Sequence, residues 1–277
     1  MGEFEGKVAF ITGAARGQGR AHAERLASEG ADIIAVDICA DIASMDYPNA
    51  TLADLDETAA LVKARGRRVV TRQADIRDVE SLRRAFGEGV GELGRVDIVL
   101  ANAGIIRLGD DGPDPEATWQ DIIGTNLSGA WHTVQVALPT LLEQNTGGSI
   151  VITGSTAALR PTATLKVGAM AYTAAKWGLI GITKQLAAAL APHSIRVNSV
   201  HPTGVLSGMT MNDTMGKLVE EALAGKDDSV IAAMKNALPV DVMEPRDVAE
   251  AVAFLVSERA RYITGIVLPV DAGFSVR

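Results

Sequence analysis

The chain has 277 residues, 47% of them hydrophobic, which is enough apolar side chain for one large core. Its formal net charge of −8 argues against a general nucleic-acid-binding surface, and the single cysteine, Cys39, excludes an internal disulfide. The four histidines lack metal-ligand spacing, so we predict no metal site. No apolar run reaches membrane-spanning length, and the first residues lack the pattern of a secretory signal. We therefore expect a cytoplasmic protein with no membrane segment and no nucleic-acid partner.

Short β-branched segments alternate with helical patterns along the chain. We predict seven strands, at 7–13, 32–37, 68–75, 96–104, 148–155, 194–202 and 265–271, and helices near 17–29, 54–65, 78–92, 115–143, 170–190 and 245–257. Strands that are apolar on both faces and separated by helices indicate a parallel sheet covered on both sides. The sequence shows no linker and no repeat. It therefore predicts an α/β protein with a single doubly wound domain over residues 1–277.

Two regions depart from this alternation. After the strand 32–37 the chain runs through an insertion, 38–54, before a helical pattern settles near Leu55. This is roughly twice the usual 2–6 residues of a strand-to-helix connection. The second region, 205–244, has no clear period and contains five methionines, Met209, Met211, Met215, Met234 and Met243. We expect it to form a lid over a substrate pocket.

The segment TGAARGQG, residues 12–19, follows the first strand and opens a helix. Gly13 permits a tight turn, while Gly17 and Gly19 let the backbone approach a pyrophosphate at the helix N-terminus. Arg16 and Gln18 belong to the same predicted cofactor loop. An ordinary strand-to-helix turn is the alternative, but the position after the first strand favours a dinucleotide site.

Acidic and small residues stand at the ends of the next strands. Asp37 ends the second strand, where a carboxylate accepts hydrogen bonds from ribose hydroxyls and repels a 2′-phosphate. This predicts NAD rather than NADP, although Arg16 is a contrary signal. Asp75 is placed to contact the adenine amino group. The predicted cofactor site also includes Ile38, Ile76, Asn102, Ala103 and Gly104.

Three residues form a candidate acid–base site. Ser155 ends the fifth strand, and Tyr172 and Lys176 are four residues apart, so they share one helical face. A tyrosine is a poor base at neutral pH, but a nearby ammonium and an oxidised nicotinamide both stabilise its phenolate. Tyr172 would then take the proton of a substrate hydroxyl, and Ser155 would hold the substrate oxygen. Lys176 would also bind the nicotinamide ribose.

These motifs together resemble the short-chain dehydrogenase/reductase family over essentially the whole chain. The matching positions are Thr12, Gly13, Gly17, Gly19, Asp75, Asn102 to Gly104, Asn126, Ser155, Tyr172, Lys176, Asn198, His201 and Pro202. The resemblance implies a single-domain Rossmann fold and a homotetramer. It also implies that Asn126 joins a water-mediated proton relay with Lys176, and that Val205 and Ser207 contact the nicotinamide carboxamide.

The sequence departs from the family pattern in two places. Pro202, Thr203 and Gly204 stand where the family commonly has Pro-Gly, so we expect a different local backbone. The gap between Ser155 and Tyr172 is longer than usual, so we expect 159–170 to bulge over the active site.

The insertion resembles a particular branch of the family, called mycofactocin-coupled or carveol-dehydrogenase-like. In that branch the insertion is thought to hold NAD in place, so that a redox carrier, mycofactocin, reoxidises it without exchange. Here Ile38, Ile42, Met45 and Tyr47 would cover the adenosine. The alternative is a surface loop at a subunit contact.

The methionines of 205–244, with Leu206 and Leu223, predict an apolar secondary alcohol or ketone as substrate, such as a terpenoid or steroid-like molecule. Alternatively, several of these methionines simply pack a lid helix. The helices near 118–143 and 172–190 are apolar on more than one face, which indicates a partner subunit. The apolar residues include Ile122, Leu127, Trp131, Val134, Leu179 and Ile182.

Three functions remain open from the sequence. The first is an NAD-dependent alcohol dehydrogenase that retains its cofactor. The second is an ordinary reductase with exchangeable cofactor, such as a 3-oxoacyl reductase. The third is a non-catalytic nucleotide sensor, against which the intact set of Ser155, Tyr172 and Lys176 argues.

Overall fold

The computed structural model describes residues 2–160, 164–224 and 235–277, and its centre is a parallel sheet of seven strands. The strands are β1 Val8–Thr12, β2 Asp32–Asp37, β3 Val69–Gln73, β4 Ile98–Ala101, β5 Gly148–Thr153, β6 Ile195–Pro202 and β7 Val267–Val270. Their order is β3-β2-β1-β4-β5-β6-β7. The order reverses between β1 and β4, which opens a crevice at the carboxyl ends of these two strands. The predicted doubly wound fold is confirmed.

Eight α-helices connect the strands in the described part of the chain. They are α1 Gly17–Ser28, α2 Leu52–Ala64, α3 Val79–Leu93, α4 Pro115–Ile123, α5 Ala130–Gln144, α6 Val167–Leu190, α7 Asp213–Leu223 and α8 Pro245–Val256. Helix α7 has no counterpart among the predicted helices. None of the helices in the described ranges is both long and apolar enough to span a membrane.

The core has two halves, one on each face of the sheet. Successive strand residues point to opposite faces, so Phe10 packs in one half and Ile11 in the other. In the same way Ile34 faces the half that holds residues of α3, α5 and α6, while Ile33 faces residues of α1, α2 and α8. Each of these side chains is fully buried. This two-sided burial explains why the strands read as continuous apolar runs.

The insertion ends at Thr51 because a capping box starts α2 there. The Thr51 hydroxyl accepts from the Asp54 backbone N–H at 3.2 Å, and the Asp54 carboxylate accepts from the Thr51 N–H at 2.7 Å. These bonds satisfy two of the N–H groups that a helix N-terminus leaves without intrahelical partners. The helix therefore begins at Leu52, two residues before the predicted start.

The helix predicted over 115–143 is interrupted by a π-helical segment, Gly124–Gly129. Within it, the Asn126 side chain donates to the Ile122 carbonyl at 2.9 Å. In an α-helix that carbonyl would instead bond to the Asn126 backbone N–H. The same amide also bonds to Ile105, outside the helix. The extra residue of the π turn thus places the Asn126 side chain beside the end of β4.

A buried histidine makes the stability of the fold depend on pH. His22 on α1 has 1% of its surface exposed, and neither ring nitrogen has a hydrogen-bond partner of normal geometry among the described residues. Burial lowers the pKa of His22 from 6.5 to about 4, and the neighbouring Asn102 side chain offsets only part of this effect. The unfolded chain therefore takes up a proton at a higher pH than the folded chain does. His22 therefore does not reduce the free energy of unfolding above pH 6.5, and it lowers this free energy progressively as the pH drops from 6.5 towards 4.

We predict that His22→Leu reduces the acid sensitivity of the fold. Between pH 7 and pH 4 the wild type should lose about 3 kcal/mol more unfolding free energy than the variant, because only the wild type must keep a buried imidazole neutral. Denaturant unfolding at a series of pH values measures this difference. His193→Leu, at an exposed histidine, is the control. Equal pH slopes for wild type and His22→Leu would contradict the prediction.

Candidate functional site

A cleft at the carboxyl ends of β1, β2 and β4 contains most of the predicted cofactor residues. We name it the glycine-loop cleft; its volume is about 890 Å³, including space open to solvent. The predicted residues that line it are Gly13, Arg16, Gly17, Gln18, Asp37, Ile38, Asp75, Ile76, Asn102, Ala103, Gly104 and Ser207. These residues come from five separate segments of the chain, which the fold brings together at one cleft.

The glycine loop needs glycine at Gly13 for two reasons. Its φ is +66°, and a Cβ there would lie 2.7 Å from the Ala103 Cα on the neighbouring chain segment. Gly17, with φ +55°, begins α1, and a Cβ on Gly19 would collide with the Gly13 carbonyl oxygen. The loop and the helix N-terminus can therefore approach a ligand closely, with backbone N–H groups directed at it.

Asp37 ends β2 and is held by backbone donors. Its carboxylate accepts from the Ala15 N–H at 3.0 Å and from the Cys39 N–H at 3.2 Å. Burial raises the pKa of Asp37, while these hydrogen bonds and the Arg16 charge act in the opposite direction. Asp37 lines the cleft, and each of its oxygens can accept a further hydrogen bond, so the carboxylate can bind hydroxyl groups of a ligand.

Asp75 lines the cleft but also pairs with a cation. The Arg77 guanidinium contacts both carboxylate oxygens of Asp75, at 3.1 Å and 2.6 Å, and also contacts Asp121. The adjacent Ile76 also lines the cleft, as does Ile38, the first residue after β2. The Arg77 contact, which fixes the Asp75 side chain, was not among the predictions.

Two polar atoms in the wall of the cleft have no partner among the described residues. They are Gln18 Oε1 and Thr125 Oγ1, both fully buried. Buried polar atoms are nearly always hydrogen-bonded, so these two indicate a polar ligand in the cleft. Thr125 was missed by the sequence analysis, although its position next to Asn126 was a usable signal.

The Asn102 amide joins three strands at the edge of the cleft. Its Nδ2 donates to the carbonyls of Thr12 and Gly13, at 3.1 Å and 3.3 Å. Its Oδ1 accepts from the Thr153 hydroxyl at 3.2 Å. The Thr153 carbonyl in turn accepts from Lys176 Nζ at 2.7 Å. Asn102 thus connects the glycine loop to the candidate acid–base residues.

Tyr172, Lys176 and Ser155 lie together. Lys176 Nζ is 5.3 Å from the centre of the Tyr172 ring. Burial raises the pKa of Tyr172, and a hydrogen bond to Ser155 opposes this rise. Burial also lowers the pKa of Lys176 to about 7. The Ser155 hydroxyl accepts from the Ala157 N–H at 3.1 Å, which fixes its direction at the start of a short 3₁₀ turn.

Asn126 lies behind this group, with its side chain fully buried. Its Oδ1 accepts from the Ile105 N–H at 3.1 Å and its Nδ2 donates to the Ile105 carbonyl at 2.8 Å. A Cβ on Gly104 would lie 2.7 Å from Asn126 Oδ1 and 3.6 Å from Lys176 Nζ. The Asn126 amide and the Lys176 ammonium therefore both lie next to Gly104, where a side chain on residue 104 would collide with the amide.

The two predicted nicotinamide contacts differ in position. Ser207 lines the glycine-loop cleft, 3.2 Å from where a Cβ on Gly17 would stand. Val205 is 3% exposed, pairs with Met243 in a β-bridge and packs in the core half that contains α8. The Val205 side chain therefore does not line the cleft. The Val205 carbonyl accepts a hydrogen bond from Thr210 Oγ1.

The insertion covers one side of the cleft. Ile42, Met45 and Tyr47 are buried. Ile38, Ile42 and Tyr47 line the cleft, and Met45 packs with Ile42 in one apolar cluster. The Tyr47 hydroxyl accepts from the Ile106 N–H at 3.2 Å. Arg16 donates to the Pro48 carbonyl at 2.7 Å. These bonds attach the insertion to both the β4 end and the glycine loop.

A second pocket adjoins the cleft on the side of Tyr172, and we name it the tyrosine pocket. It is lined by Ile106, Leu108, Ser155, Thr156, Ala157, Arg160, Ala169, Tyr172, Thr173, Thr203, Gly204, Met209, Thr210, Met215 and Phe274. Met209 belongs to both the pocket and the cleft. Ser155 and Tyr172 thus reach a space beside the predicted cofactor.

The region 205–244 contributes only in part to this pocket. Met209 and Met215 line it, whereas Met211 and Leu223 are exposed and Met243 lies in the core. Met234 and the rest of 225–234 lie outside the described residues.

The longer segment before Tyr172 contacts the loop that follows β4. Lys166 donates to the Leu108 carbonyl, and the Val167 N–H donates to Asp111. Residues 161–163 of the expected bulge lie outside the described part of the chain. Among the described residues, no group of three or more His, Cys, Asp or Glu side chains is arranged to hold a metal ion.

Comparison with known proteins identifies the family. The profile of the short chain dehydrogenases matches residues 7–218. The chain belongs to the short-chain dehydrogenase family. The predicted resemblance to this family is therefore confirmed. The (-)-trans-carveol dehydrogenase of Rhodococcus erythropolis is 46% identical over 281 residues, and the alignment covers the full length of both chains.

Solved structures of other family members have the same fold. A carveol dehydrogenase from Mycobacterium avium in complex with NAD is 47% identical, with a TM-score of 0.91 and full coverage of both chains. A short chain dehydrogenase from Mycobacterium paratuberculosis bound to NAD is 41% identical, with a TM-score of 0.90 and the same coverage. The similarity therefore includes the insertion and the region after β6.

We predict that Gly13→Ala destabilises the protein more than Gly66→Ala. Both glycines have positive φ, which costs an alanine about 1–2 kcal/mol. A Cβ on Gly66 meets no atom within 4 Å, whereas one on Gly13 meets the Ala103 backbone. The additional loss at Gly13 should be about 1–3 kcal/mol, measured by urea denaturation. Equal losses would show that the loop is not constrained by this contact.

Proposed function

We propose that this protein is an NAD-dependent alcohol dehydrogenase that interconverts an apolar secondary alcohol and its ketone. The observation that carries the proposal is the meeting of Ser155 and Tyr172, with Lys176 beside the tyrosine ring, at a pocket that shares Met209 with the glycine-loop cleft. Residues distant in sequence are brought together where a substrate and a dinucleotide would be adjacent. Membership of the family and the similarity to carveol dehydrogenases support this function.

The cleft fits NAD. Its glycine loop suits a pyrophosphate, Asp37 suits the ribose hydroxyls, and the unpartnered Gln18 and Thr125 oxygens suit further polar groups. A carboxylate at Asp37 disfavours the 2′-phosphate of NADP. Two similar structures contain NAD. When bound, oxidised NAD supplies the hydride acceptor for the reaction.

Tyr172 is the acid–base residue in this proposal. In the oxidation direction its phenolate takes the hydroxyl proton from the substrate, and in reduction its hydroxyl returns it. Because burial raises the pKa of Tyr172, the phenolate requires a nearby positive charge. Lys176, fixed by its bond to the Thr153 carbonyl, supplies that charge, with its Nζ 5.3 Å from the centre of the Tyr172 ring. Ser155 donates to the substrate oxygen and keeps it beside Tyr172.

Asn126 completes the site as the member of a proton relay with Lys176. The close packing of Asn126 Oδ1 and Lys176 Nζ around Gly104 supports this role. A Lys176 pKa of about 7 suits proton exchange at neutral pH, because both protonation states are populated. Val205 and Ser207 would contact the nicotinamide carboxamide, Val205 through its backbone because its side chain is in the core.

The substrate is an apolar molecule such as a terpenoid or steroid-like alcohol. Apart from the polar groups of Ser155, Tyr172 and four threonines, the described pocket wall is mainly apolar, and Arg160 is its one charged side chain. Met209 and Met215 adapt to irregular apolar shapes. A relative at 46% identity is a carveol dehydrogenase, which acts on such a molecule.

The insertion retains NAD, so that the cofactor is reoxidised in place by a redox carrier such as mycofactocin. The bonds of Tyr47 to Ile106 and of Arg16 to Pro48 support this proposal. Dissociation of NAD would require the insertion to detach from two elements at once. Such attachment slows dissociation more than it alters association.

The assembly proposed is a homotetramer in the cytoplasm. Trp131 on α5 and Trp177 on α6 are 36% and 50% exposed, and tryptophan is enriched at subunit interfaces. A second copy of the chain would cover them. Ile122, Val134 and Leu179, also considered for this surface, are instead buried within the chain.

An exchangeable-cofactor reductase is the second candidate, and the same fold and site would serve it. The buried, doubly attached insertion favours the retained-cofactor enzyme over this alternative. A non-catalytic sensor is disfavoured, because it would not require the costly burial of Lys176 beside Tyr172.

We predict that Tyr172→Phe abolishes proton transfer while leaving NAD bound. The rate of reduction of bound NAD by an apolar alcohol, followed by absorbance in a single turnover, should fall at least about 100-fold. Tyr262→Phe is the matched control, because Tyr262 is 89% exposed. Unchanged turnover in Tyr172→Phe would refute the role of Tyr172, whereas a wild type whose bound NAD no apolar alcohol reduces would favour the sensor.

We predict that Tyr47→Ala accelerates loss of NAD at least about 10-fold, because it removes both a buried ring and the bond to Ile106. Exchange of bound NAD against isotope-labelled NAD, followed by mass spectrometry, measures this rate. Leu52→Ala, at an exposed residue just after the insertion, is the control. A wild type isolated without NAD that turns over freely with added NAD would favour the exchangeable reductase.

A further inference from the structure

A buried histidine contacts the backbone of Ser155. His201 lies near the end of β6, with no exposed surface. Its Nδ1 is 3.0 Å from the Ser155 carbonyl oxygen and 3.3 Å from the Ser155 backbone nitrogen. Its Nε2 is 2.9 Å from the Ser199 hydroxyl on the same strand. The imidazole therefore connects Ser199 of β6 to the start of the Ser155 turn.

The space for this ring exists only because residue 154 is glycine. A Cβ on Gly154 would lie 2.3 Å from His201 Cε1 and 2.5 Å from Nδ1. The Gly154 N–H donates to the Val200 carbonyl at 2.7 Å, which holds the glycine against the strand. The His201 ring thus packs against the Gly154 backbone, immediately before Ser155. A rotation of the backbone at Gly154 would bring its atoms into collision with the ring.

Both neutral tautomers of His201 maintain the contact with Ser155. With a proton on Nδ1, the ring donates to the Ser155 carbonyl and accepts from the Ser199 hydroxyl. With a proton on Nε2, the ring donates to Ser199 and accepts from the Ser155 N–H. Burial and the nearby Lys176 charge lower the pKa of His201, which favours these neutral forms.

The backbone at Ser155 determines where its hydroxyl points. Ser155 lies two residues beyond β5, outside the sheet ladder, and is extended, with φ −169° and ψ 157°. Its hydroxyl must donate to a substrate oxygen while it also accepts from the Ala157 N–H. A misplacement of about 1 Å at such a group can cost 100-fold in rate.

We propose that His201 is a positioning residue that holds the Ser155 backbone so that the serine hydroxyl meets the substrate oxygen. This inference rests on the proposed role of Ser155. His201 does not line the tyrosine pocket, so it acts through Ser155 and not by contact with substrate.

Three variants at this position separate the contact from the packing. His201→Asn keeps an amide near the position of Nδ1, His201→Gln keeps one near Nε2, and His201→Leu keeps neither. We expect His201→Leu and His201→Gln to lose about 100-fold in kcat with little change in KM. His201→Asn should stay within about fivefold of the wild-type kcat. Bound NAD, measured by mass spectrometry, should be unchanged in all three variants, which shows that the fold is intact.

A double-mutant cycle with Ser155→Ala tests whether His201 acts through the serine. If it does, His201→Leu should cause no further loss of kcat once Ser155 has been replaced. A His201→Leu loss as large in the Ser155→Ala background as in the wild type would overturn the positioning role, as would equal kcat values for the Asn, Gln and Leu variants. If His201→Leu does not fold, the comparison of the Asn and Gln variants still decides.

The cycle also separates this inference from the proposed function. Full activity in Ser155→Ala would refute the proposed role of Ser155, and the positioning role with it. A large loss in Ser155→Ala, together with an additive loss from His201→Leu, would leave the dehydrogenase intact and refute the role of His201 alone.

Discussion

The site depends on the hydrogen bonds of one amide, Asn102. It donates to the Thr12 and Gly13 carbonyls and accepts from Thr153, whose own carbonyl accepts from Lys176. Parallel strands leave such groups unpaired at their carboxyl ends, where the ladder stops. A single planar amide that both donates and accepts can pair several of them at once. The glycine loop and the lysine therefore share one rigid frame, and a shift of either would leave buried polar groups unsatisfied.

Local sequence patterns predicted the sheet, the glycine loop and the shared face of Tyr172 and Lys176, because apolar runs, glycine spacing and helical period are properties of neighbouring residues. The π-helical segment was not predictable in this way. Within it, Asn126 contacts a residue 21 positions earlier, which no local pattern contains. The attachment of the insertion is similar, since Tyr47 bonds to a residue 59 positions away. Contacts over such distances exist only once the chain has folded.

The insertion is held over the cleft by several interactions that are individually weak. Each hydrogen bond that attaches it is worth only about 0.5–1.5 kcal/mol, and the one from Arg16 is exposed. The buried side chains of Ile42, Met45 and Tyr47 add apolar contacts on the inner side. These terms act together, because detaching the segment from one support also exposes what the others bury. A ligand beneath such a cover would leave only after the whole segment had detached, so the proposed retention of NAD would be a property of the segment and not of any single residue.

The placement of charge accounts for the proposed substrate class. Beside the cleft, Asp75 and Asp121 are paired with Arg77, so these charges are not available to a substrate. In the described wall of the tyrosine pocket the one charged side chain, Arg160, lies over the Phe274 ring, 5.4 Å from its centre. A substrate with many polar groups would lose hydration here and find few partners. A single hydroxyl can form hydrogen bonds with Ser155 and Tyr172. A molecule that is otherwise apolar therefore loses the least hydration free energy when it enters the pocket.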